Sequence, residues 1–208
     1  MIVLNNLTKK LGNRNVLDNL TYKFNDVGFY VIIGINGSGK TTLLNILALL
    51  DNKYEGEFYI DEINQKNEKQ INKDNYRFKN INYIRPKNNI PSFMSINDLT
   101  SLVGDNNLID NDIFSNIKKS NQLSGGEEIL LTLLLLNKSN RKIILADEIT
   151  SQLDKENTEV IFNYLLKESQ SKLIIFATHD KRITSKNNIH KVLLDGGKLY
   201  DKNWKCHF

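Results

Sequence analysis

The segment Gly34-Ile35-Asn36-Gly37-Ser38-Gly39-Lys40-Thr41 fits the pattern G-x-x-x-x-G-K-[ST] in full. These residue types serve one kind of chemistry. Glycines let the chain bend tightly, so that several backbone N–H groups point at phosphate oxygens. A helix that starts at the same place adds the positive end of its dipole. Lys40 should reach the outer phosphates, and the Thr41 hydroxyl should hold magnesium. A second segment, Ile143-Ile144-Leu145-Ala146-Asp147-Glu148, is an apolar run that ends in two carboxylates. At the carboxyl end of a buried strand, Asp147 can hold a divalent cation through water, and Glu148 can act as general base towards an attacking water. A third segment, Leu123-Ser124-Gly125-Gly126-Glu127, has the local form of a capping box, with Ser124 as N-cap and Glu127 three residues on. The capping box accounts for Ser124 and Glu127 but not for the adjacent Gly125 and Gly126, which leave bare backbone at a helix N-terminus, an anion-binding feature.

Positioning these groups takes an alternation of strands and helices. Residues 29–33 form a continuous apolar run typical of a buried strand, and 41–50 have helical composition. Short strands are expected at 2–4, 20–24, 57–60 and 81–84. Further strands are expected at 143–146 and 173–177, with helices over 124–137 and 157–168. Residues 64–80 are polar, rich in Asn and Lys, and are read as exposed. Gly196-Gly197 between 192–194 and 198–200 suits a hairpin. Strands alternating with helices around a glycine-rich turn indicate an α/β fold with a mostly parallel sheet.

Taken in order, these motifs resemble the ATP-binding cassette (ABC) family of ATPases. The family signature LSGGQ stands here as LSGGE at 123–127. The phosphate loop precedes it, and Asp147-Glu148 follow it. Ser151-Gln152-Leu153-Asp154 is similar to the family's D-loop, and His179 in Ala177-Thr178-His179-Asp180 is similar to its switch histidine. The resemblance spans nearly the whole chain. It implies a single nucleotide-binding domain over 1–208: a P-loop NTPase core, an N-terminal antiparallel β subdomain, and a small α-helical subdomain at roughly 88–138. It implies ATP and Mg2+ as ligands, with Gly34, Asn36, Gly37, Ser38, Gly39, Lys40, Thr41, Thr42 and Leu11 around the nucleotide. Thr41 and Asp147 would be on the metal, and Glu148, His179 and Lys40 at the reaction. Two cassettes would pack head to tail, each ATP lying against Ser124, Gly125 and Gly126 of the other. The second cassette would be an identical copy or a paralogue, and a separate transmembrane permease would complete the machine.

The sequence departs from the family pattern at several places. Arg85-Pro86-Lys87 stands where the family has a glutamine that touches metal and water. Leu11 stands where an aromatic ring stacks on adenine. Glu128-Ile129-Leu130 replaces a Gln/Arg pair, and Ile149 replaces a proline. The leading expectation is the ATP-hydrolysing subunit of a transporter. A soluble ABC ATPase acting on nucleic acid or ribosome, or a low-turnover nucleotide-binding regulator, remain the alternatives. The composition carries less. With 40% hydrophobic and 25% charged residues, the chain reads as globular, and its net charge of +4 is spread rather than clustered. No nucleic-acid partner is therefore expected. No run reaches the roughly 18–20 apolar residues of a spanning helix, and no leader segment is visible, so no direct membrane insertion is expected. A single cysteine, Cys206, fits a reducing compartment. The expected location is the cytoplasm, on the inner face of the cell membrane and held there by the permease.

Overall fold

A computed structural model describes residues 1–86, 98, 124, 127–129, 131–133, 141–151 and 153–201. Most of the expected helical subdomain, together with Gly125, Gly126, Gln152, Cys206 and His207, lies outside the described residues.

Two sheets make up the frame. The first has four strands in the order β2-β1-β4-β5: β1 (Ile2–Leu11), β2 (Arg14–Phe24), β4 (Glu55–Ile60) and β5 (Ile63–Asn64). All of its pairings are antiparallel. The second has six strands in the order β10-β9-β3-β8-β7-β6: β3 (Gly28–Ile33), β6 (Ile81–Ile84), β7 (Ile143–Asp147), β8 (Leu173–Thr178), β9 (His190–Asp195) and β10 (Lys198–Asp201). Its pairings are parallel except for the β9–β10 hairpin. Gly196 and Gly197 both take positive φ, 53° and 76°, as a tight hairpin turn demands.

The core divides along the two faces of the larger sheet. One face, through Ile81, Ile143, Leu145, Leu173 and Ile175, packs against the antiparallel sheet and helix α1 (Lys40–Leu47). The other, through Ile84, Ile144, Ala146, Ile174 and Phe176, packs against α3 (Lys155–Glu168), α4 (Lys181–Thr184) and the side chains of Ile129, Leu131 and Leu133. With helices on both faces, β3, β7 and β8 are buried along most of their length, which is why they read as unbroken apolar runs.

Several elements differ from the sequence reading, β1 and β2 running well beyond the short strands expected at 2–4 and 20–24. Helix α1 ends at Leu47 rather than Leu50, because Leu49 turns into the left-handed region at φ 58°. Helix α3 starts at Lys155, earlier than expected, because the Asp154 side chain caps it by accepting from the Asn157 N–H at 2.7 Å. The polar stretch contains a helix, α2 (Gln70–Asn80). Its only large contribution to the core is Tyr76, so no apolar stripe marks it. It is laced instead by side chains one turn apart, Gln70 to Asp74 and Arg77 to Asp74, both at 2.9 Å.

Candidate functional site

Strand β3 ends at Ile33, and the chain turns through the glycine-rich loop into α1. Two glycines show why side chains are excluded there. At Gly39 φ is 104°, and a Cβ would meet Val16 Cγ1 at 2.9 Å. At Gly34 a Cβ would meet the Ser38 Oγ at 2.5 Å and the Leu194 carbonyl at 2.8 Å. Gly39 is also the N-cap of α1 and has no side chain, so no side-chain cap takes up the first-turn N–H groups. These amides and the helix dipole make an anion cradle without a single charged side chain.

Lys40 supplies the charge. It is 6% exposed, and its Nζ donates to the loop's own Gly34 carbonyl at 2.8 Å and Ile35 carbonyl at 3.2 Å. It also lies 3.2 Å from the Glu148 Oε1. Glu148 follows the last residue of β7 in a left-handed conformation, φ 51°, rare for a residue with a side chain. That turn sends its N–H to the Ala177 carbonyl at 2.9 Å and swings the carboxylate back over the loop. There it receives three further contacts from the end of β8. His179 Nδ1 is 2.9 Å from Oε1, the His179 N–H is 3.4 Å from Oε2, and the Thr178 hydroxyl is 3.3 Å from Oε2. The sequence separates Lys40, Glu148 and His179 widely, and the parallel pairing of β3, β8 and β7 brings them to one sheet edge.

Asp147 sits one residue before, 6% exposed, with Oδ1 lacking any hydrogen-bond partner. Burial pushes its carboxyl above the usual carboxylate range and the Glu148 charge adds to this, while the Thr41 hydroxyl, Lys40 and Arg85 pull it back. The Ser38 hydroxyl in the loop is likewise buried and unpartnered. An orphaned carboxylate oxygen beside a threonine hydroxyl is a hard-oxygen donor set, and it fits a small divalent cation that keeps most of its ligands as water and phosphate. Among the described residues no cluster of three or more His, Cys, Asp or Glu side chains forms a protein-only metal cage.

A cavity of about 530 Å³ opens at the loop. Asn36, Gly37, Gly39, Lys40, Thr41, Thr42 and Glu148 line one part of it, and Leu11, Arg14 and Val16, from the β1–β2 hairpin, line another. Leu11 is 55% exposed and therefore available for contact. A somewhat larger cavity, about 600 Å³, lies at Tyr22, Tyr30 and His190, where none of the motif residues reaches. His190 lies there at the surface, with its ring stacked on Tyr30 at 4.7 Å.

Ser124 and Glu127 form the capping box in both directions: the Ser124 N–H donates to the Glu127 Oε2 at 2.7 Å, and the Glu127 N–H donates to the Ser124 Oγ at 3.3 Å. The helical turn thus starts where the sequence places it.

Sequence reasoning missed two residues. Arg14 lines the cavity, but it falls in no motif. Arg182 joins the segments that follow Glu148 and His179. Its Nη1 donates to the Leu153 carbonyl at 2.8 Å and its Nη2 to the Thr150 carbonyl at 2.9 Å, while Nε and Nη2 grip the Asp180 carboxylate at 2.9 and 2.7 Å. Only the position of Asp180 two residues before an arginine at a helix start hinted at this clamp.

Known proteins resemble the chain at every level. The sequence profile of the ABC transporter family matches residues 17–151. The macrolide export ATP-binding/permease protein MacB of Campylobacter jejuni is 30% identical over 217 residues, 97% of this chain and 34% of that one. The chain therefore spans about a third of that relative. The lipoprotein-releasing system ATP-binding protein LolD of Rickettsia typhi is 30% identical over 210 residues, covering 89% of this chain and 91% of that one. A dimeric solved structure of the ATP-binding cassette MJ0796, from Methanocaldococcus jannaschii and bound to ADP and Pi after hydrolysis, superposes with a TM-score of 0.75. It is 27% identical, and the match covers 97% of this chain and 98% of that one. Among the described residues no helix is long and apolar enough to cross a membrane.

Proposed function

The chain belongs to the ABC transporter family, and from that premise we propose that it is the ATP-binding, ATP-hydrolysing subunit that powers transport through a separate membrane-spanning subunit. One observation supports this reading above the others. Glu148, the carboxylate best placed to act as base, is aimed at the phosphate loop and touches both Lys40 at 3.2 Å and His179 at 2.9 Å.

In this reading the loop amides from Gly34 to Thr41 cradle the phosphates, with Asn36, Ser38 and Thr42 beside them. Lys40 exchanges its Glu148 contact for phosphate oxygens. Leu11, Arg14 and Val16 receive the base. Thr41 and Asp147 would hold Mg2+, which when bound would neutralise phosphate charge. Glu148, freed from Lys40, accepts a proton from water as the water oxygen forms a bond to the terminal phosphorus. The bond from that phosphorus to the bridging oxygen breaks, leaving ADP and inorganic phosphate. His179, fixed through its Nδ1, presents its other ring nitrogen towards the terminal phosphate.

The loop lies at the surface, and on the family pattern Ser124, Gly125 and Gly126 of a second cassette close over it, the dimeric MJ0796 cassette being the supporting precedent. The second cassette is an identical copy or a paralogue. The domain covers 1–208, with a helical subdomain at roughly 88–138, and it lies at the inner face of the membrane through its permease. Relatives named for macrolide export and lipoprotein release support an outward-directed system. The test is ATP hydrolysis by the wild type beside Glu148→Gln. Turnover should fall at least about 10²-fold while nucleotide binding survives; equal turnover removes Glu148 from the reaction.

A further inference from the structure

Among the described residues, four buried side-chain atoms have no hydrogen-bond partner: Ser38 Oγ, Tyr54 Oη, Tyr83 Oη and Asp147 Oδ1. Ser38 and Asp147 belong to the phosphate site, but Tyr83 falls in no motif. Strands β6 and β7 run parallel, with Tyr83 level with Leu145. Asp147 stands two residues beyond Leu145, so it is the diagonal neighbour of Tyr83 on the same face of the sheet. On that face Ile81 and Tyr83 of β6, and Ile143 and Leu145 of β7, pack into the cluster that includes α1. At a rise of about 3.3 Å per residue and a strand spacing of about 4.8 Å, the two backbones are about 8 Å apart. An aromatic side chain spans such a gap. The Arg85 guanidinium lies 4.7 Å over the Tyr83 ring. The Tyr83 hydroxyl feels the charges of both Asp147 and Arg85, yet no well-formed hydrogen bond joins it to either. Burial and then the Asp147 charge push it up to about 12, against the pull of Arg85, so it keeps its proton near neutral pH. A donor thus stands idle next to an idle acceptor. An unpaired buried hydroxyl lowers stability, and one retained at that cost points to a partner engaged on binding.

We propose that Tyr83 is a positioning residue for the metal: its hydroxyl donates to the Asp147 carboxylate when a divalent cation binds there, and so fixes that carboxylate's orientation. This rests on the nucleotide reading above and specifies what steadies the cation's protein partner. An ionised carboxylate has about four lone-pair sites. The Thr41 hydroxyl bonds to it, and Oδ1 is left open. A bound cation keeps Asp147 ionised, and a hydrogen bond to an ionised acceptor is stronger than one to a neutral group. Side chains that steady a metal-holding carboxylate in this way account for about 10–100-fold in metal affinity. Tyr83 should therefore matter for nucleotide bound with its metal and not for nucleotide alone.

The experiment is equilibrium titration of the full chain with ATP, in excess Mg2+ and in EDTA, for the wild type, Tyr83→Phe, Asp147→Asn and the double variant, with Tyr54→Phe as control. Tyr83→Phe removes only the hydroxyl. It should weaken Mg·ATP at least about tenfold and change metal-free ATP less than about twofold. Because the hydroxyl acts through Asp147, adding Tyr83→Phe to Asp147→Asn should cost less than about twofold more. Tyr54→Phe removes the other idle tyrosine hydroxyl, which lies past the far end of α1 near Asp51, and should leave both affinities unchanged. Without ligand, Tyr83→Phe should melt no lower than wild type, since it loses no formed bond. Equal Mg·ATP affinity in wild type and Tyr83→Phe, equal losses with and without metal, or losses that add in the double variant overturn the proposal. So does a ligand-free melt of Tyr83→Phe well below wild type, or a wild-type ATP affinity that ignores Mg2+. A wild type that binds ATP in neither condition overturns the nucleotide reading itself, which is a separate result.

Discussion

Replacing Arg182 with alanine should unsettle the site without touching any residue that faces the phosphates. The guanidinium is shared among the Asp180 carboxylate and the carbonyls of Thr150 and Leu153, all at 2.7–3.0 Å. Without it, the Asp180 side chain, only 9% exposed, keeps the Thr150 hydroxyl at 3.0 Å and a backbone N–H but no countercharge. Breaking a fully buried ion pair costs about 3–5 kcal/mol. Arg182 is one-third exposed, 33%, and water can reach part of the vacated space, so about 2–3 kcal/mol is the better figure here. For a chain of this size that corresponds to a fall of about 5–10 °C in melting temperature. The pH dependence gives a second handle. Burial pushes the Asp180 carboxyl up, but the bonds and charge of Arg182 and the bond from Thr150 more than offset this, so its folded value lies below the ordinary carboxylate range. A depressed folded value means stability that is fully present above about pH 4 and is lost as pH falls through the folded value. The gap between wild type and Arg182→Ala should be widest near pH 7 and narrow below about pH 4. Thermal melts across that range measure it. Melting temperatures within about 2 °C at pH 7, or a gap undiminished at pH 3, refute the reasoning. Because Arg182 also anchors the segment after Glu148, turnover should drop more than nucleotide affinity.

Two further outcomes follow from the same geometry. The folded value of Asp147 is raised, so ionising it costs stability, a cost that begins as pH rises past about 4 and is complete above the folded value. Asp147→Asn without nucleotide or metal should therefore melt no lower than wild type at pH 8, yet gain less from added Mg·ATP, as paired melts will show. Leu11→Tyr places a ring at an exposed position lining the cavity; stacking on a base is worth about 1–3 kcal/mol, so titration should find ATP bound at least about fivefold tighter.

How much of this the sequence discloses depends on where the information sits. The phosphate loop, the acidic end of β7 and the capping box are local, and each keeps its spacing whatever surrounds it. Both halves of the Ser124–Glu127 box form as their spacing requires. The buried strands are visible because both their faces are covered, so nearly every position along them is apolar. Helix α2 is invisible for the opposite reason: Tyr76 is the one apolar side chain it packs against the core, while Ile71 and Phe78 are 63% and 73% exposed. Arg14 and Arg182 were missed because arginines on a surface look alike in sequence. What distinguishes them is a cavity wall made by a hairpin and two carbonyls turned inward by the loop after Glu148. The Glu148–Lys40 contact is also tertiary. It depends on a left-handed turn that no residue preference at that position foretells.

The central claim is that the loop ending in Lys40 and Thr41 grips a polyphosphate. Calorimetric titration of the purified chain with Mg·ATP tests it directly, with Lys40→Ala beside it. The account predicts one nucleotide per chain for the wild type and a severe loss of affinity for the variant. Failure of the wild type to bind either Mg·ATP or Mg·GTP, or undiminished binding by Lys40→Ala, contradicts it.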